Sequence, residues 1–71
     1  MKNWVYSKIE KCVYNIDYFF SFYVKEKNSK FIICGHTKDN ENGLDLEIEF
    51  FGPYEQEWFA IDDMQRIFNK N

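Results

Sequence analysis

The chain has one proline, one arginine, one histidine, three glycines and two cysteines among its 71 residues, and its apolar runs extend only a few residues. With a single Pro53 and so little glycine there is no Pro/Gly/Ser linker, no low-complexity tract and no internal repeat, so residues 1–71 are read as one domain. Cys12 and Cys34 allow at most one bridge. The N-terminal "MKNWVYSKIEKC" alternates apolar with charged residues and carries no secretory pattern, so reduced thiols in a cytoplasmic protein are expected. No stretch has the length of a membrane span, and no membrane partner is expected. One histidine, three serines, no glycine-rich loop and no nucleophile elbow argue against an enzyme and against a cofactor.

What the chain has in quantity is aromatic rings and segregated charge. Fifteen aromatics make up 21% of the residues. A domain this short buries only about 60% of its unfolded surface, so large side chains are needed to build a core. The net charge of −3 divides unevenly: residues 1–38 carry seven lysines against three acids, and residues 39–63 carry nine acids and no base. Residues 64–71 add Arg66 and Lys70. Such asymmetry bears on association and partners rather than on fold.

Alternation fixes the strands. In "LDLEIEF" (44–50), Leu44, Leu46, Ile48 and Phe50 fall on one side and Asp45, Glu47 and Glu49 on the other, the pattern of a half-buried strand. Asn42-Gly43 tolerates positive φ at both central positions of a hairpin turn and joins this strand to "KFIICGHTK". With those two as the loop, Lys38 faces Glu47, Thr37 faces Ile48, His36 faces Glu49 and Gly35 faces Phe50. A four-residue loop shifts the partners and keeps the parity, since an odd loop would turn one apolar set outward. The same parity joins Ile16, Tyr18, Phe20, Phe22 and Val24 to Phe31 and Ile33 across an even loop such as Lys27-Asn28 or Glu26 to Ser29.

These faces need a cover. In "IDDMQRIFNKN", Asp62 is a cap signal with Gln65 three residues on, and Met64, Ile67 and Phe68 share one face, which predicts a helix over 62–69. The segment "EWFA" (57–60) reads as a short extra strand or as the start of that helix; the strand is preferred because Asp62 is the better start signal. Residues 3–14 space Val5, Ile9, Cys12 and Val13 as a helix would, yet Trp, Val, Tyr and Ile favour strands, and a strand over 4–9 is expected. The fold class is α+β: a small antiparallel meander sheet of three to four strands (about 4–9, 16–25, 30–38 and 44–51, with 57–60 in addition) packed on one short C-terminal helix.

Metal chemistry finds little support. Cys34, His36, Asp39 and Asp45 lie close together, but structural zinc needs four ligands and Cys12 stands alone. "KDNENGLDLEIE" echoes a calcium loop with Lys38 where the first carboxylate belongs and a strand where a helix should follow. No metal site is expected.

The acidic ribbon then carries the functional expectation: a non-catalytic protein-binding module that presents Asp45, Glu47, Glu49, Phe51, Tyr54, Glu55, Glu57 and Trp58 to a basic surface of a partner protein, such as a nucleic-acid-binding groove. Small inhibitors from phages and mobile elements share this size and charge, and the abundance of Lys, Asn, Phe, Ile and Tyr fits an AT-rich genome. A charged strand edge that merely prevents aggregation explains the same acids. Two alternatives use other surfaces. Lys8, Lys11, Lys25, Lys27 and Lys30 beside Phe19 and Tyr23 suit single-stranded nucleic acid, against which the acidic pI stands; a homodimer would pair basic with acidic halves.

Overall fold

Period-two alternation becomes a three-stranded antiparallel meander with one helix across its face. The computed structural model describes residues 3–37 and 46–68. A hairpin of β1 (Trp4–Ser7) and β2 (Cys12–Asn15) comes first, followed by a 3-10 turn over Ile16–Tyr18. The sheet proper is β3 (Phe19–Lys27), β4 (Lys30–Thr37) and β5 (Glu47–Tyr54) in that spatial order, and α1 (Glu57–Phe68) closes the chain. This is the α+β meander-plus-helix architecture that alternation and capping predict.

The N-terminal strand expected over 4–9 is instead the first arm of a hairpin, with Val5 opposite Tyr14 and Ser7 opposite Cys12. Its turn, Lys8–Lys11, has no glycine or proline; Lys11 takes the left-handed conformation and donates its N–H to Ser7 O at 2.8 Å. Ser7 is fully buried, and its hydroxyl accepts from Glu10 N at 2.9 Å while donating to Glu49 O at 2.6 Å. One serine therefore both shapes the turn and ties the hairpin to β5, where Lys8 N adds a bond to Phe50 O.

The strand expected over 16–25 begins at Phe19, because Asn15 Oδ1 accepts from Asp17 N and caps the 3-10 turn. A bulge between Phe19 and Ser21 then reverses the expected facing: Phe19 is 7% exposed and Phe20 59%. The β3–β4 loop is Asn28-Ser29, both left-handed, with Lys27 opposite Lys30. It is two residues long, so parity holds, and Val24 faces Ile33 as burial requires.

Asn42-Gly43 and Lys38 lie outside the described residues, as do Leu44 and Asp45. The β4–β5 register is displaced by two from the tight-loop expectation, pairing His36 with Glu47 and Gly35 with Ile48. Two irregularities in β5 then bring Ile33 opposite Phe51 and Phe31 opposite Tyr54. Gly52 lies in this stretch with φ +139°, and a Cβ there would sit 3.0 Å from Phe31 O and 3.2 Å from Ile32 Cα.

Segment 57–60 is helix, not strand. Ala60 N reaches Gln56 O, so the helix starts a turn before Asp62, which instead pairs with Arg66 at i,i+4. Burial of Ala60 against the sheet outweighs the strand preference of Trp58 and Phe59. The core between α1 and the sheet is aromatic. Phe68 stacks on Phe22 with centroids 3.9 Å apart, and Phe50, fully buried, meets Phe19, Phe22, Phe68 and Tyr14 at 5.3–6.0 Å. Gly35 makes room for it: a Cβ there would lie 2.8 Å from the Phe19 ring and 2.9 Å from the Phe22 ring.

Candidate functional site

The acids named from sequence separate into two places. Glu47 and Glu49 lie on the sheet face turned away from α1, where β3 contributes Lys25 and Lys27. β4 separates the two strands, yet Lys25 Nζ lies 2.7 Å from Glu47 Oε2 and 4.0 Å from Glu49, and Lys27 Nζ lies 3.1 Å from Glu49 Oε2. Two lysines of the basic first half thus pair with two acids of the second half within one sheet. The Lys25 hydrogen bond holds the Glu47 carboxyl below its usual range, and Glu47 in turn raises Lys25.

Cys34, on β4 between the strands that carry Lys25 and Glu47, is fully buried. Burial, followed by a hydrogen bond to Glu47, pushes the Cys34 thiol up to about 12, so it is protonated at neutral pH. Tyr23 is raised by the same burial and by Glu47. No buried polar side-chain atom among the described residues lacks a partner.

The second place is the junction of β5 with α1. Tyr54, the last residue of β5, donates its hydroxyl to Asp63 Oδ2 at 3.0 Å, and burial with that bond raises it to about 12. Phe59 meets the Tyr54 ring edge-on at 5.7 Å, and Trp58 stacks on Phe59 at 5.5 Å and 20°. Trp58 is 67% exposed and Phe59 46%. Glu55 and Glu57 flank this stack, both exposed; Glu55 pairs with Lys30 at 3.2 Å, and Glu57 has no ion pair among the described residues. Phe51 is half-buried beside Phe50, and Asp45 lies outside the described residues.

Sequence reasoning missed Phe59 and the exposed Ile61, which joins Trp58 on the outer side of α1 at i,i+3. It also missed the outer face of the hairpin, where Trp4, Tyr6 and Val13 are all exposed. The stacking pair assigned to nucleic acid does not form a platform, because Phe19 is in the core. Lys25, Lys27 and Lys30 are each engaged by a carboxylate. Among the described residues no three His, Cys, Asp or Glu side chains gather as metal ligands, and no helix is long and apolar enough to cross a membrane. Comparison with protein-family models, with curated proteins and with solved structures finds no match to this chain.

Proposed function

We propose that this chain is a non-catalytic protein-binding module that recognises a basic protein surface through the aromatic and acidic patch at the β5–α1 junction. The observation that carries this reading is the exposed Trp58–Phe59 stack, braced from below by Tyr54. Adjacent rings held by one another and by a hydrogen-bonded tyrosine lose little freedom on binding, and Trp and Tyr are the residues that most often anchor interfaces. Glu57 supplies charge that steers a cationic partner, and Glu55, paired with Lys30 at 3.2 Å, adds less. Glu47 and Glu49 contribute less to that field, since Lys25 and Lys27 sit on them.

Affinity capture from a lysate with wild type, Trp58→Ser and Glu55→Lys/Glu57→Lys in parallel tests the reading. A captured protein retained by wild type and lost by both variants supports it, provided its purified association slows with added salt. A partner held equally by all three overturns it.

A further inference from the structure

The sheet has two outer edges, and among the described residues only that of β5 receives backbone hydrogen bonds. On β5, Lys8 N bonds Phe50 O and the Ser7 hydroxyl bonds Glu49 O, so the hairpin lies along that edge. On β3, no backbone hydrogen bond from the described residues reaches the outer edge. This strand is nine residues long, regular from Ser21 to Lys27, and contains no proline. Exposed edges are ordinarily guarded by charged side chains standing at them. Here Lys25 and Lys27 are drawn across the sheet to Glu47 and Glu49, which leaves Glu26 as the one charge of β3 without an ion pair among the described residues. Beside it runs a groove of about 320 Å³ lined by Phe20, Ser21, Phe22, Met64, Gln65 and Phe68.

We propose that this edge is covered by β3 of a second copy of the chain, paired antiparallel about a two-fold axis at Tyr23, so that two three-stranded sheets become one of six strands. An unpaired strand edge selects another extended backbone, and the charge pattern of β3 suits its own copy. A two-fold at Tyr23 sets Phe22 opposite Val24 and Ser21 opposite Lys25, with Tyr23 on Tyr23. Aromatic rings thus meet a β-branched or aromatic residue, and no like charges stand directly opposed. The axis is perpendicular to the sheet, so both α1 helices lie on the same face, and Val24 of the copy comes to the Phe22 side of the groove. The contact is isologous and closes at two copies.

Sedimentation equilibrium of the wild-type chain over a wide concentration range, with amide hydrogen exchange at the two ends of that range, is the test. The expected result is a reversible dimer in which amides within residues 21–25 gain protection as it forms. Tyr23→Lys, which sets two cations on the axis, should raise the dissociation constant by about tenfold or more with an unchanged circular dichroism spectrum. A wild-type chain that stays monomeric overturns the proposal, as does a dimer whose 21–25 amides exchange like the monomer's. If Tyr23→Lys fails to fold, the wild-type exchange pattern decides alone.

Discussion

Lys25 and Glu47 belong to strands that do not touch, yet their charged atoms lie 2.7 Å apart over the top of β4. Both side chains are more than one-third exposed, so water screens the pair, and removal of either is expected to lower stability only slightly. The pH dependence follows from the two shifts. Glu47 is depressed in the folded state, so its contribution is present above the ordinary carboxylate value, about 4.3, and disappears as pH falls through the folded value. Lys25 is raised, so its contribution is complete below about 10.4 and is lost as pH climbs through its folded value. Urea melts of wild type and Lys25→Met should therefore differ at pH 7 and converge in acid below the carboxylate range. The charge swap Lys25→Glu/Glu47→Lys should recover part of the loss.

Phe19→Ala should destabilise by about 3–5 kcal/mol, as buried phenylalanine truncations do, while Phe20→Ala stays within about 0.5 kcal/mol. Phe19 is 7% exposed and packs on Phe22 and Phe50, whereas Phe20 meets only the His36 ring among the described aromatic pairs. Equal costs in denaturant melts would show that the β3 bulge is misplaced.

That pair also shows where legibility ends. Alternation over 46–50 marks β5 and its buried face because there each apolar residue is followed by an acid, whereas β4 reads as a strand from its unbroken apolar run Phe31–Cys34. "FF" at 19–20 offers two identical side chains, and only the packing of Phe19 against Gly35 selects which turns in. The first hairpin was hidden because its turn is made by a buried serine rather than by Gly, Pro or Asn. At the candidate site, Tyr54 and Trp58 were legible as large residues beside acids. Phe59 was not: on a strand it would oppose Trp58, while adjacent helical positions are only about 100° apart and can stack.

Ser7→Ala removes a donor to Glu49 O and an acceptor for Glu10 N in one step. The expected cost is about 1–3 kcal/mol, because a part-buried carbonyl and the Glu10 N–H both lose their partner. Amide exchange should localise the damage: Lys8 and Glu10 lose protection before β4 does. Uniform loss across the chain would mean that the hairpin is not a separately docked unit.

The two thiols should report separately. Cys12 is exposed and Cys34 fully buried, its thiol pushed up to about 12. An aromatic disulfide reagent at pH 8 should titrate one thiol rapidly in the native protein and the second only on unfolding. Two fast equivalents would show that Cys34 is accessible in the folded chain.

A strand whose apolar and acidic residues both recur every second position is slippery, because sliding β5 by two residues so that Leu46 and Ile48 take the places of Ile48 and Phe50 also brings Asp45 and Glu47 to the places of Glu47 and Glu49 opposite the lysines. Neither hydrophobicity nor charge breaks that translational degeneracy. Gly52 does, since it alone in β5 lacks a Cβ and it sits where one would press on Phe31 O and Ile32 Cα. Any slip carries a side chain into that gap. The missing atom thus acts as a stop on a ratchet, beside the bonds of Ser7 to Glu49 O and Lys8 N to Phe50 O that hold the same register.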